Sequence, residues 1–365
     1  MKKTLLLFAA SLLILLPAFS LAASVAERTG APLRVTLSET IDDARLVFDA
    51  PVQASYGCRI PLFEASARAV PLRELRRVMD VLIGSGNCGG KIGAQNVSVE
   101  AALSEYEEKG GLGDAWFFRT DAPEWSLSPN LHGWDYRRQR GYGAPDYSNW
   151  TANRWRWADK GLTCRKGETE ALALAAELVQ RLAPEMVLTA QAFTRPEILQ
   201  DLRLDDPPAY ADELAYAFVF ARPILSVPQL YDQVYGMAAS LEHMEVVISG
   251  DGVESVRYVN AMSLGNEWVE DAELLGFDHV LERAKAELSH RYGDRRVEVE
   301  RIAFGYASVP VERHERYGYA TRLQLVPVWA FYGNAYGPDE AYAVDLGALC
   351  VVHAVSGMAV QFNRR

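Results

Sequence analysis

Phe277, Val280, Leu281, Ala284 and Leu288 recur at helical spacing, with Asp278 near the start of the stripe and Gly293 at its end. Three strand-length apolar stretches follow with no further helix, over residues 297–309, 320–332 and 342–355. The last turns at Ser356-Gly357 into residues 358–360. A helix followed only by strands favours an antiparallel sheet with the helix on one face. The same order appears earlier. Leu172, Ala175, Ala176, Val179 and Leu182 mark a helix over 168–182 that Pro184 stops, and extended stretches follow at 186–193 and 214–221. Residues 244–249 and 253–259 then flank Gly250-Asp251-Gly252, a hairpin signal. Toward the N-terminus, 33–50 is strand-rich and 60–70 is extended. Pro71 opens a helical stripe of Leu72, Leu75, Val78, Met79, Leu82 and Ile83, with Gly84 as its stop. The fold class expected is α+β, with antiparallel sheets each covered by a helix.

Between these units the character of the chain changes. Residues from Asn87 to about Lys160 are rich in Gly, Pro, Asn and aromatics and hold six of the eight tryptophans: Trp116, Trp125, Trp134, Trp150, Trp155 and Trp157. This reads as a long irregular segment. The expected division is a signal peptide over 1–23, an N-terminal α+β unit over 24–105 and a Trp-rich irregular segment over 106–160. A C-terminal α+β region follows over 161–365, divisible into helix-plus-sheet units at 161–260 and 261–365.

The first 23 residues are built for export. Lys2 and Lys3 precede an apolar run from Leu5 to Phe19 that only Ser11 and Pro17 interrupt, and Ser20-Leu21-Ala22 supplies small residues for cleavage after Ala22 or Ala23. The run is short of the roughly 20 residues that span a bilayer. The first cysteine is Cys58, so no lipobox cysteine follows. The expectation is a secreted or extracytoplasmic protein with no transmembrane segment after cleavage. Without Lys2 and Lys3 the 37 basic residues fall to 35 against 48 acidic ones. That balance opposes non-specific binding to nucleic acid or anionic lipid. A hydrophobic fraction of 49% is ample for packed cores.

Four cysteines in an exported chain allow three full disulfide pairings. Cys58 and Cys88 flank one strand-plus-helix unit and form the favoured pair. Cys350 lies in an apolar run and reads as a buried small hydrophobe, and Cys164 as a free thiol. No two cysteines or histidines stand at ligand spacing, so no metal is expected. Gly84-x-Gly86-x-x-Gly89 matches a dinucleotide fingerprint, but it follows a helix where the motif needs a strand, so no cofactor is expected either. His314-Glu315 lacks the second histidine of a metalloprotease helix, and no nucleophile elbow or P-loop is found. Glu267, Glu270, Asp271 and Glu273 crowd one segment that reads as a solvated loop, and no catalytic residue is assigned. Trp134, Tyr136, Trp155 and Trp157, among Asp135, Arg137, Arg138, Arg140, Asp146, Arg154 and Arg156, are the candidates for a binding surface, since Trp, Tyr and Arg dominate interface energetics. The competing reading is that these aromatics pin the segment to its domain. Trp329 alternates with Val326 and Val328 and is assigned to the core, with Pro327 marking an edge or bulge.

Several segments together resemble an uncharacterised domain-of-unknown-function family of extracytoplasmic proteins, commonly lipoproteins, from clostridia and related gut Gram-positive bacteria. They are Val47-Phe48-Asp49-Ala50-Pro51-Val52 leading to Ile60-Pro61-Leu62-Phe63-Glu64, Leu162-Thr163-Cys164-Arg165-Lys166-Gly167-Glu168, and Tyr216-Ala217-Phe218-Val219-Phe220-Ala221-Arg222. The most specific are Leu274-Leu275-Gly276-Phe277 and Leu325-Val326-Pro327-Val328-Trp329-Ala330-Phe331-Tyr332-Gly333. The C-terminal unit also looks like the modules of YycH and YycI, extracytoplasmic regulators that contact a sensor kinase. The resemblance implies a non-enzymatic binding or regulatory protein of the cell envelope whose partner is an envelope protein or glycan. The alternative is a carbohydrate-active hydrolase or carbohydrate-binding protein using the Trp-rich region.

Overall fold

The computed structural model describes residues 23–57, 59–84, 86–111, 113–139, 144–146, 163–194, 197–198, 213–230, 242–315, 320–337 and 343–360. In chain order the elements are α1 (Val25–Thr29), β1 (Arg34–Ile41), β2 (Ala44–Gln53), β3 (Leu62–Ala67), α2 (Leu72–Leu82), β4 (Cys88–Ile92), β5 (Gln95–Val97) and α3 (Val99–Glu108). Then come β6 (Ala115–Arg119), β7 (Trp125–Asn130), β8 (Gly133–Arg138), β9 (Pro145–Asp146), α4 (Glu168–Leu182), β10 (Val187–Thr194), β11 (Glu197–Ile198) and β12 (Ala215–Ala221). The chain continues with β13 (His243–Ser249), β14 (Gly252–Val259), β15 (Met262–Val269), α5 (Phe277–Tyr292), β16 (Arg296–Arg313), β17 (Ala320–Tyr336) and β18 (Ala343–His353).

The expected α+β class is what the chain adopts, but its strands do not partition in sequence order. The seven-stranded sheet runs β1-β2-β16-β17-β3-β15, with β18 also pairing β17, so both ends of the described chain build one sheet. The nine-stranded sheet runs β10-β12-β13-β14-β8-β7-β6-β4-β5 and takes the middle of the chain. The chain leaves the first sheet between β3 and α2 and returns between β14 and β15. The two crossings thus fall near residues 70 and 260. The pairing of β2 with β16 is parallel; the other strand pairs in this sheet are antiparallel.

Each sheet has its own core. The α5 stripe Phe277, Val280, Ala284 and Leu288 packs with Leu46, Phe48, Val297, Phe304, Trp329 and Phe331 of the terminal sheet. On the middle sheet, Ala171, Ala175, Val179 and Leu182 of α4 and Leu75, Val78 and Met79 of α2 meet Phe117, Leu127, Phe218, Val246 and Val256. Burying a Leu- or Phe-sized side chain is worth about 1.5–3 kcal/mol, so each stripe holds its helix against its sheet. Trp329 is fully buried with its ring edge-on to Phe277 and Phe304, and Cys350 is also buried. Pro327 sits neither on an outer strand nor in a bulge. It falls where the neighbour of β17 changes from β3, which pairs through Leu325, to β18, which pairs from Val328. At that changeover its missing N–H costs no ladder bond, and its carbonyl accepts from Ala354 N at 2.9 Å.

The aromatic middle is more regular than expected. Residues 115–138 supply three strands of the nine-stranded sheet, correcting the irregular reading for that stretch. The side chains alternate as strands require, with Ala115 and Phe117 buried and Trp116 and Phe118 half-exposed. Trp134 and Tyr136 likewise point inward and Asp135 and Arg137 outward.

Candidate functional site

Trp134 and Tyr136, named above as binding-surface candidates, are 1% and 5% exposed and belong to the core of the middle sheet. The expectation of an aromatic contact face is corrected for these two, because period-2 alternation turns both rings inward. Trp125 stacks on Tyr136 with centroids 5.0 Å apart, which is packing. Trp155 and Trp157 lie outside the described residues. Of the candidate disulfide, Cys88 carries a free thiol in β4, and Cys58 lies outside the described residues. Two of the four crowded carboxylates are tied into the fold: Glu267 pairs with Arg59 at 2.5 Å, and Asp271 accepts from Ile60 N and pairs with Arg28 at 3.0 Å.

The ionisable cluster the sequence did not announce lies at the seam of the two sheets. Glu242 is fully buried, with Arg222 Nη2 2.8 Å from Oε2 and donating to Oε1 at 2.9 Å. The Tyr258 hydroxyl also donates to Oε1. Burial pushes the Glu242 carboxyl above its ordinary value, with the Arg222 charge opposing. Burial likewise raises the Tyr258 phenol, and Glu242 adds to that. Arg68 donates to Tyr258 and pairs with Glu74, both at 3.1 Å. Every charge here faces another one, so the network reads as a lock between the sheets.

Arg222 also begins a strap that crosses from β12 to β16. Its carbonyl accepts from the Gln229 amide at 2.9 Å, and Ile224 and Val227 exchange backbone bonds at 2.8 and 2.9 Å around Leu225-Ser226. Both turn residues are in left-handed backbone, with φ of 48° and 71°. Non-glycine residues held there cost on the order of 1 kcal/mol each, and such strain clusters at functional sites. The strap ends on the first sheet, where Tyr306 N donates to Pro228 O and Leu230 N to Tyr306 O. A Cβ on Gly305 would lie 2.6 Å from the Pro228 carbonyl oxygen, so this approach requires glycine.

Strap, sheets and the turn after β2 enclose a cleft of about 290 Å³. One wall is the start of outer strand β10, with Val187, Leu188 and Thr189. A second is the strap, with Pro223, Ser226, Pro228 and Leu230. The third comes from the terminal sheet, with Gln53, Tyr56, Arg301 and Ala303. Thr189 is the extra residue of a β-bulge and its hydroxyl donates to Val219 O at 3.1 Å.

Arg301 reaches this wall through a second bulge. Val299 pairs with Gly333 and Arg301 with Tyr332, so Glu300 is one residue too many. Before it Val297 and Val299 face the α5 core; after it Ile302 and Phe304 do. The parity switch places Arg301 beside Ala303 on the opposite face. There its guanidinium lies over the Tyr332 ring, 4.0 Å from the centroid. Among the described residues no carboxylate pairs with Arg301. Among the described residues it is the one charged residue lining the cleft. Burial pushes the Tyr56 phenol above its ordinary value and the Arg301 charge opposes that rise. A second, smaller cavity of about 150 Å³ touches Trp134 and Tyr258, but there Arg68 pairs with Glu74 and Arg77 donates to the Leu182 carbonyl.

No described helix is long and apolar enough to cross a membrane. No protein-family profile and no curated protein matches the chain. Among solved structures, an uncharacterised protein from Eubacterium rectale is similar over 94% of this chain and 97% of its own, with a TM-score of 0.58 and 12% identity. That likeness establishes a shared fold. The C-terminal domain of YpeB from Bacillus megaterium aligns over 80% of this chain and 97% of its own at 11% identity, with a TM-score of 0.33, too low to establish a shared fold.

Proposed function

We propose that the chain is an exported, non-enzymatic binding or regulatory protein of the Gram-positive cell envelope, and that the cleft between its two sheets receives its ligand. The observation that carries this reading is the cleft itself, at the small end of the roughly 300–1,000 Å³ usual for small-molecule sites. Its walls come from separate elements that hydrogen bonds hold in place. Its polar groups are hydroxyls, an amide and a guanidinium, a set that orients a ligand through hydrogen bonds and charge. The export-type first 23 residues, the excess of acid over base and the resemblance to the clostridial extracytoplasmic family support the envelope assignment.

The test is backbone-resolved NMR of the purified protein titrated with small-molecule extracts of cell envelope. The expected result is saturable shifts at Gln53, Tyr56, Thr189, Ser226 and Arg301. Shifts confined to other surfaces, or none with any extract, would refute the assignment of the cleft. Export is tested separately by fractionating cells that produce the chain with and without residues 1–23; retention of both forms in the cytoplasm would refute it.

A further inference from the structure

We infer that the ligand of this cleft is a small carboxylate with an apolar body, its acid group on Arg301 and its body against Val187, Leu188 and Leu230. The inference rests on the cleft being the binding site and adds the chemistry of what it takes. Arg301 is a half-buried cation without a carboxylate partner among the described residues, in a chain whose formal charge is −11. A protein with that excess of acid has carboxylates to spare, yet other arginines of this region, such as Arg222 and Arg296, are matched by Glu242 and Glu298. A partly desolvated cation lacking a counter-ion is unfavourable until an anion arrives. The Tyr332 ring takes one face of the guanidinium, which leaves its N–H edges for the planar fork that a carboxylate accepts. The bulge at Glu300 is what presents Arg301 on this face, and a regular strand would turn it to the α5 core.

The apolar half of the inference comes from the opposite wall. Val187 and Leu188 are 45% and 39% exposed, and Leu225, beside Ser226 at the turn, is 43% exposed. Val187 and Leu188, two of the eight large hydrophobics left open to solvent among the described residues, line the cleft itself, and Leu225 follows in sequence on its strap. An apolar body seated there would cover them while Thr189 and Ser226 offer hydroxyls between the two ends.

Two probes that differ only at the acid group test this by calorimetry on the purified protein: N-acetyl-leucine and N-acetyl-leucinamide. N-acetyl-leucine is expected to bind at least about tenfold more tightly than the amide, the scale of a charged hydrogen bond. Arg301→Gln should abolish that difference, Arg301→Lys should keep part of it, and Leu188→Ser should weaken both probes alike. Unchanged melting temperatures would confirm that the variants fold. If the amide binds as well as the acid and Arg301→Gln changes neither, the cleft is a binding site but the carboxylate inference is overturned. If inorganic phosphate binds as tightly as N-acetyl-leucine and displaces it, the site is a phosphate site and the inference again fails. If neither probe binds while envelope extracts still shift the cleft residues, the ligand class is wrong and the cleft assignment stands.

Discussion

The hydroxyl of Tyr258 donates to Oε1 of Glu242 at 2.5 Å, joining β14 to the residue that precedes β13 at the seam of the two sheets. Arg222 reaches the same carboxyl from the end of β12, so one buried acid ties the strap to the sheet from which it departs. Removing the cation leaves that acid buried without compensation. Arg222→Met is expected to destabilise the protein by about 3 kcal/mol, the lower part of the range for breaking a buried pair. Tyr258→Phe should cost about 1–3 kcal/mol for the lost hydrogen bond. Denaturant titration measures both, and a loss below about 0.5 kcal/mol for Arg222→Met would show that the seam network carries no stability.

The same acid sets a pH dependence. Burial raises the Glu242 carboxyl above its ordinary value of 4.5, so the folded state holds this proton more tightly than the unfolded chain does. Its contribution to stability is therefore fully present below about pH 4.5 and declines as the pH rises through the folded-state value. Measured against Glu242→Gln, the wild-type protein should lose relative stability across that window. A difference that is flat with pH, or that grows in favour of the wild type, would contradict the raised value.

Gly333 lies opposite the Glu300 bulge, and a Cβ there would sit 1.8 Å from the carbonyl oxygen of Glu298. No side-chain rotation relieves contact with backbone, so β16 and β17 must separate. Gly333→Ala is expected to cost about 3 kcal/mol or more, the upper end of overpacking effects. Because the same bulge presents Arg301, the variant should also shift the NMR signals of Arg301 and Tyr56. A variant as stable as the wild type would mean that the bulge does not hold the strands this close.

Much of the fold was legible because it is local. The stripes of α2, α4 and α5 and the hairpin at Gly250-Asp251-Gly252 each repeat at the spacing of their own backbone. Sheet membership is not local. Leu46 pairs with Val297 across most of the chain, and nothing near either residue encodes that partner. The aromatic stretch was misread for a different reason: its Gly, Pro and Asn turns lie so close together that the alternation of Trp134, Asp135, Tyr136 and Arg137 was obscured. The β1–β2 hairpin hid similarly, since Asp42 and Asp43 take the left-handed turn at φ of 44° and 75° without a glycine. Arg301 gave no signal at all. Its role follows from a one-residue bulge, and in sequence Val299, Glu300 and Arg301 read as plain alternation.

Tryptophan accessibility separates the core reading of the aromatic segment from the surface one. Trp134 is 1% exposed and Trp268, on β15 at the edge of the terminal sheet, is 52% exposed. Trp134→Ala should cost about 3–5 kcal/mol as a buried aromatic is lost, whereas Trp268→Ala should fall within about 0.5 kcal/mol. Trp268→Phe should lower the acrylamide-quenchable share of the emission, and Trp134→Phe should leave it unchanged. Quenching that falls with Trp134→Phe would return Trp134 to the surface.

The cysteines provide the last test, because thiolate rather than thiol reacts with an alkylating agent. Burial is the main cause that pushes the Cys88 thiol up to about 11, with the Asp80 charge adding to it. At pH 8 only about one Cys88 in a thousand is then thiolate. Cys350 is buried and its thiol is raised further, so it should react only after unfolding. Native protein treated with iodoacetamide at pH 8 should therefore modify Cys88 slowly, at a rate that climbs about tenfold per pH unit toward 11. Peptide mass mapping with and without prior reductant then distinguishes two causes of slow reaction. If reductant leaves the rate unchanged, burial of a free Cys88 explains it. If reductant releases Cys88 and Cys58 together, the two are paired, and the expected disulfide is what closes the unit between β3 and β4. Fast modification of native Cys88 at pH 8 would contradict both.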